Sequence, residues 1–287
     1  MVWYPRGVDH DGNGWVECAR GHRHWGRHGA AGLLLHAVDD AGAARVLLQH
    51  RAEWSHHGGT WGLPGGARDS HEEAVAAALR EATEETALDR SLVRTRHTFV
   101  DDHGGWSYTT VYADTPSPLA TELNQESIEL DWVALPDVES RELHPGFAAT
   151  WGEVQARPAT LLVDAANVVG SRPDGWWKDR AGATSRLLAS LDTLRARTLI
   201  DPGGGTRVVA RVVAVVEGQA RSVGDASWTQ VVRADGSGDD AVVTTAAALT
   251  DAGSEVIAVT ADRGLRSRVH ATAVQVAGPG WLLALSG

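Results

Sequence analysis

Three glutamates, Glu81, Glu84 and Glu85, stand at i, i+3 and i+4 shortly after a glycine pair, Gly65-Gly66. On an α-helix those spacings are neighbours on one surface. Like charges this close repel, so a fold keeps them where something offsets the cost. Solvent does so on an ordinary acidic face. A hard divalent cation such as Mg²⁺ does it better, because it takes oxygen ligands and joins carboxylates to substrate phosphates. Local signals predict the helix independently. Ser70-His71-Glu72-Glu73 reads as a capping box with Ser70 as N-cap. Ala74, Val75, Ala78, Leu79 and Ala82 then form an apolar stripe of helical period. Before it, Trp61-Gly62-Leu63-Pro64-Gly65-Gly66 reads as a strand end entering a turn, whose glycines let backbone N–H groups approach a phosphate.

Gly66, Glu72, Arg80, Glu81, Glu84, Glu85 and Leu88 stand in the order and spacing of the Nudix box, and the resemblance spans about residues 25–150. Two positions depart from the pattern. Ala82 is smaller than the usual aliphatic. Ala87 stands where the family has glycine, at a helix end where a Cβ in the left-handed conformation costs about 1–2 kcal/mol. The resemblance implies an α/β/α sandwich and hydrolysis of a nucleoside diphosphate linked to another moiety, dependent on Mg²⁺ or Mn²⁺. It makes Glu81, Glu84 and Glu85 the metal ligands, with Glu81 alternatively accepting the proton of the attacking water. Arg80 would orient the glutamates, and Gly65 and Gly66 would shape the loop against the phosphates. Glu72 sits about half a turn from Glu81 on a helical wheel and reads as structural. In many members an acidic residue near a late strand completes the site; Glu126 is the nearer match and Glu129 the alternative.

The rest of the first half alternates apolar strands and turns. Residues 30–36 and 45–49 read as buried strands, 106–112 as an alternating strand, and 126–137 as a strand entering a turn. The charge is uneven: residues 1–150 carry 12 Arg, no Lys and 23 Asp or Glu, whereas residues 151–287 are balanced at 14 and 14. Twelve of the thirteen histidines lie in the first part. This break predicts two domains, 1–154 and 155–287, joined near Gln155-Ala156-Arg157-Pro158. Neither is basic enough to advertise nucleic-acid binding by charge alone.

The second half has its own acidic pattern. Thr160–Val163 is an apolar strand ending in Asp164 and, three residues on, Asn167. Arg207–Val216 is a β-branched run ending at Glu217. Asp239 and Asp240 open a helix, and Val256–Val259 leads to Asp262. In an open parallel sheet, functional groups collect beyond the carboxyl ends of the strands. That would bring Asp164, Asp239 and Asp262, with Asp240 and Glu217, into one acidic pocket. Over residues 159–285 these short motifs resemble the NYN domains of the PIN-like nucleases, particularly the YacP-like branch. The resemblance implies a Rossmann-like parallel sheet and metal-dependent cleavage of RNA. Asp164, Asp239, Asp240 and Asp262 would be the ligands, and Asn167 would orient substrate or ligand. Arg172, Trp176, Trp177, Lys178 and Arg180 follow on a loop, where they contact RNA or cap the core.

One further cluster, Cys18, His22, His24 and His28, could be drawn as a zinc site. With no second cysteine in the chain, it reads instead as a polar segment at the domain edge or over the nucleotide pocket. A single cysteine permits no internal disulfide, the first residues lack a signal-peptide core, and no apolar run reaches the roughly 20 residues that span a bilayer. These features predict a cytoplasmic chain without a membrane partner. Composition says nothing of oligomeric state. Three arrangements follow: two active enzymes in tandem, a nuclease controlled by a nucleotide-sensing first domain, or a first-domain enzyme with an inactive RNA-binding scaffold behind it.

Overall fold

The computed structural model describes residues 11–173, 175–270, 272 and 275–285. The expectation for the first seven residues therefore lies outside the described residues. The chain divides into two compact units, Met1–Gln155 and Ala156–Gly287.

The first unit opens with a two-stranded ribbon, β1 (Trp15–Glu17) and β2 (Arg23–Trp25). Its main sheet is built from β3 (Ala30–Val38), β4 (Ala44–Arg51), β5 (Trp61–Gly62), β6 (Gly65–Ala67), β7 (Arg94–Asp102), β8 (Ser107–Asp114) and β9 (Ser127–Ala134). The order is β5-β4-β3-β8-β7, with β6 paired to β3 and β9 to β4. β3 and β8 run parallel; the other pairs are antiparallel. Alternate residues of each strand face opposite sides. Ala31, Leu33, Leu35, Leu47, Val111 and Ala113 pack against Ala77, Ala78 and Ala82 of helix α1 (Ala74–Thr86). On the other face Tyr112 donates its hydroxyl to Val154 O at 2.8 Å, at the end of helix α2 (Pro145–Val154). Small side chains on α1 let it lie close to the sheet, so Ala82 fits where a larger aliphatic is usual.

The second unit is a mostly parallel sheet covered on both faces. Its strands are β10 (Arg157–Asp164), β11 (Thr198–Ile200), β12 (Thr206–Val216), β13 (Gln230–Arg233), β14 (Val256–Val259) and β15 (Gln275–Ala277). β10 pairs in parallel with both β12 and β14, β14 with β15, and the far end of β12 with β13; only β11 is antiparallel. Leu161, Val163, Val212, Ala214 and Ile257 face α3 (Ala165–Gly170), α4 (Arg180–Asp192) and α7 (Pro279–Leu285). Leu162, Val213, Val215 and Ala258 face α5 (Gly238–Asp251) and α6 (Arg263–Val269). Buried on both faces, such strands are continuous apolar runs, as in Val212–Val216.

One local expectation fails. The capping box does not form: α1 begins at Ala74, after Glu73, which makes no side-chain cap. Ser70 instead donates its hydroxyl to Asp11 Oδ2 at 2.5 Å, a partner 59 residues away. The helix exit is intact despite the missing glycine. Ala87 adopts the left-handed conformation, φ 54° and ψ 19°, and donates its N–H to Thr83 O.

Candidate active site

The sequence from Gly65 to Glu85 folds so that a short strand and a helix face each other. β6 is pinned to Ala31 and Gly32 of β3, and α1 returns across it. Both glycines are needed for close approach. A Cβ on Gly65 would lie 2.4 Å from Ala31 O, and one on Gly66 would lie 2.6 Å from Glu81 Cδ. Their role differs from the expected phosphate cradle in one respect. The Gly65 N–H is already spent, donating to Glu85 Oε2 at 2.7 Å.

Arg80 organises the acids. Its Nε and Nη2 each donate to a different Glu72 oxygen, both at 2.8 Å. Its Nη1 donates to Glu81 Oε1 at 2.9 Å and to Glu84 Oε2 at 3.4 Å, and Nη2 also reaches Ala67 O. Glu72 is therefore a structural partner of Arg80, held well below the usual carboxylate range by that bidentate pair. The charge-assisted fork fixes the arginine plane and with it Glu81.

The three glutamates occupy different environments. Glu85 is buried at 4% exposure. Burial raises its pKa to about 8, opposed by the Gly65 N–H and reinforced by the Glu81 charge. Burial likewise raises Glu81, with Arg80 opposing and the charges of Glu84 and Glu126 adding to the rise. Glu84 is half exposed. Glu81 and Glu84 share Arg80 Nη1, while Glu85 is drawn to the Gly65 N–H. Oxygen donors, a buried acid that resists ionisation and the space left by Gly66 all fit a hard divalent cation.

The late strand separates its two candidates. Glu126 is exposed and acts electrostatically on Glu81. Glu129 does not reach this face. It stands opposite His50 on β4, and a register shift lies between His50 and Arg51, which pairs with Ser127. Gln49, the residue before His50, faces Glu85, and successive residues of a strand face opposite sides, which puts His50 and its partner Glu129 on the far side. Sequence reasoning also passed over Gln49, buried on β4, which donates to Ser127 Oγ at 2.9 Å and bonds the Glu85 carboxyl. Its place in an apolar run, Val46-Leu47-Leu48-Gln49, is the signal that could have found it. Trp61, ahead of the glycine turn, belongs to the core: it is buried, stacked on His50 and covered by the Arg141 guanidinium.

In the second unit the strand ends converge as the topology requires. Asp164, Asn167, Glu217, Asp239 and Asp262 line an open cavity of about 420 Å³. Asp164 accepts the Asn167 N–H at 3.1 Å and the Thr260 hydroxyl at 3.0 Å. Its pKa is raised by burial, and by Asp239 and Glu217. Asn167 Oδ1 accepts the Ala261 N–H, joining α3 to the segment after β14. Glu217 Oε2 accepts the Gly238 N–H, and Asp262 caps α6 through Leu265. Asp240 does not join them. One residue along α5 rotates the side chain by about 100°, and Asp240 pairs with Arg268 at 2.6 Å instead. On the following loop Trp176 packs on the core beneath Arg180, while Trp177 is exposed.

The N-terminal cluster is rearranged from its expected form. Cys18, His22 and His24 come together with His103, and His28 lines a different cavity with Arg27, Arg68 and Trp106. No helix among the described residues is long and apolar enough to cross a membrane.

Residues 26–151 match the NUDIX domain family model. A Mycobacterium tuberculosis protein named "Putative 8-oxo-dGTP diphosphatase 3" is 51% identical over 164 residues, covering 55% of this chain and 76% of that protein. The crystal structure of a Nudix hydrolase from M. smegmatis, RenU, is 54% identical and covers 50% of this chain and 92% of that one, at a TM-score of 0.48. The crystal structure of Rae1 (YacP) from Bacillus subtilis is 17% identical over 45% of this chain and 74% of that one, at a TM-score of 0.34, a likeness too slight to carry an argument. By its domain match and its identity to that mycobacterial relative, the chain belongs to the Nudix family and is an enzyme acting on phosphoric anhydrides.

Proposed function

We propose that the first unit hydrolyses a nucleoside triphosphate of the oxidised-purine kind, 8-oxo-dGTP or a close analogue, to the monophosphate and pyrophosphate. The observation that carries this is the ridge of Glu81, Glu84 and Glu85 on α1, set by the Arg80–Glu72 fork against Gly66. The substrate class is taken from the mycobacterial relative. Glu81, Glu84 and Glu85 would hold one or more Mg²⁺ or Mn²⁺ ions. When bound, such ions neutralise the non-bridging phosphate oxygens and the charge that grows on the leaving pyrophosphate. Water adds to phosphorus as the P–O bond to the leaving phosphate breaks. Glu126, exposed and near Glu81, takes the proton of that water. Arg80 acts by position: it keeps Glu81 ionised and aimed despite burial.

Glu84→Gln tests the ridge, because a half-exposed side chain can be changed without unfolding the helix. Loss of Mg²⁺-dependent pyrophosphate release with unchanged circular dichroism supports the reading. Full turnover in that variant refutes it. Turnover of nucleotide sugars or dinucleotide polyphosphates in place of 8-oxo-dGTP would keep the site and change the substrate.

For the second unit we infer metal-dependent cleavage of RNA at the cavity of Asp164, Glu217, Asp239 and Asp262, with Asn167 positioning substrate. Four carboxylates from separate elements, two of them raising the pKa of Asp164, support this over a plain set of turn formers. Asp164→Asn keeps the N-cap of α3, since Asn and Asp cap about equally, and should stop Mn²⁺-dependent cleavage. A wild-type chain that cuts no RNA under those conditions favours the scaffold arrangement. Cleavage that responds to nucleotide in the Glu84→Gln background favours the sensor arrangement.

A further inference from the structure

The ribbon β1–β2 is a separate sheet with three residues per strand, most of them solvent-facing. A two-stranded ribbon of this size is marginal in water by itself. Yet the chain's single cysteine, Cys18 at its turn, is buried at 5% exposure. The turn is closed by the Gly21 N–H on Cys18 O at 2.9 Å and the Cys18 N–H on His22 O at 3.0 Å, with Gly21 left-handed. His22 stands just before the return strand and His24 within it. His103 arrives from the β7–β8 turn, which is tied to the ribbon by the Ala19 N–H on Gly104 O at 2.8 Å. One donor atom from each of Cys18, His22, His24 and His103 lies within 4.8 Å of the others.

The arrangement around these donors is more specific than crowding. His103 Nε2 pairs with Asp101 Oδ2 at 2.7 Å, and its Nδ1 is buried with no hydrogen-bond partner. A carboxylate on one ring nitrogen, with the other aimed inward, is how metal-bound imidazoles are oriented. His24 stacks flat on Trp106, ring centres 3.9 Å apart, and sets Nε2 at 3.3 Å from Cys18 Sγ.

We propose that Cys18, His22, His24 and His103 bind one Zn²⁺ that staples the ribbon to the β7–β8 turn. One thiolate and three imidazoles are donors that zinc accepts, and four protein ligands close the site, as in structural centres. With Zn–N about 2.0–2.1 Å and Zn–S about 2.3 Å, tetrahedral ligand atoms lie about 3.3–3.6 Å apart. Binding releases the thiol proton of Cys18. The site is independent of the glutamate ridge and of the second unit's cavity.

The test uses the full chain, stripped with chelator and titrated with Co²⁺ and then Zn²⁺. Because Cys18 is the only thiol, a thiolate-to-Co²⁺ charge-transfer band can come from no other site. The expected result is that band together with tetrahedral visible absorption, both removed by one equivalent of Zn²⁺. Cys18→Ser abolishes the band, His28→Ala leaves it, and Asp101→Asn weakens zinc about 10- to 100-fold. Bound Zn²⁺ also protects Cys18 from a disulfide reagent, a readout that needs no variant. Octahedral Co²⁺ spectra without charge transfer, or equal thiol reactivity with and without Zn²⁺, would overturn the proposal.

Discussion

The two acidic sites are built in opposite ways. In the first unit the carboxylates come from consecutive turns of one helix, and their spacing along the chain is their spacing in space. In the second they come from the ends of β10 and β12, the start of α5 and the segment after β14, and only the parallel sheet gathers them. A helical site is tolerant of its surroundings but needs one partner, Arg80, to hold its like charges together. A strand-end site needs every crossover in place, and its members are held by backbone N–H groups instead. Glu217 and Asp262 each accept one.

The sharpest break between the two comes from a pair of substitutions. Glu84→Gln should cut nucleotide hydrolysis on the order of 10²–10³-fold, read by pyrophosphate release, and leave RNA cleavage untouched. Asp164→Asn should do the reverse. If either substitution lowers both activities, the sites are not independent. A subtler blow to the first site is Gly66→Ala. The added Cβ would displace the Glu81 carboxylate, and a shift on the order of 1 Å can cost about 10²-fold in rate. An unaltered kcat with unchanged stability would show that Glu81 does not need that approach.

The pH dependence should also differ. The Glu85 pKa, raised to about 8 by burial, means that the metal-free folded state holds a proton the unfolded chain has lost above about pH 4.5. The native state then binds more protons, so metal-free stability falls as pH rises from about 4.5 to about 8. A cation must displace that proton, so Mg²⁺ affinity should climb toward pH 8 and level off above it. Thermal melts with and without Mg²⁺ across that range check both signs. The smallest effect is at the helix exit. Ala87→Gly relieves the left-handed Cβ, worth about 1 kcal/mol or a Tm gain of about 2–4 °C in a unit of this size.

Much of the first site is legible in one window because helix geometry is local. The i, i+3, i+4 spacing of Glu81, Glu84 and Glu85 survives in the fold, whereas Glu72 lies ahead of α1 and owes its structural role to the Arg80 fork and not to a place on the helical wheel. Long-range partners were not legible. Asp11 takes Ser70 away from its cap, and His103 joins a cluster whose other members lie about eighty residues earlier. The register that pairs Glu129 with His50, one residue from the site-facing Gln49, is announced by no residue type. In the second unit, apolar strands running into acids pointed to Asp164, Glu217 and Asp262, and a helix start pointed to Asp239. The sequence could not tell Asp239 from Asp240, because that depends on where α5 faces and on Arg268 beside it.

The central claim is that the α1 glutamates hold a cation that an anionic ester shares. Isothermal titration of Mg²⁺ into wild type and Glu84→Gln, with a non-hydrolysable triphosphate analogue present, measures this directly. Coupled binding, in which the analogue tightens Mg²⁺ in wild type and the variant loses that coupling, is the predicted result. Equal Mg²⁺ affinity in both proteins, or no dependence on the analogue, would contradict it.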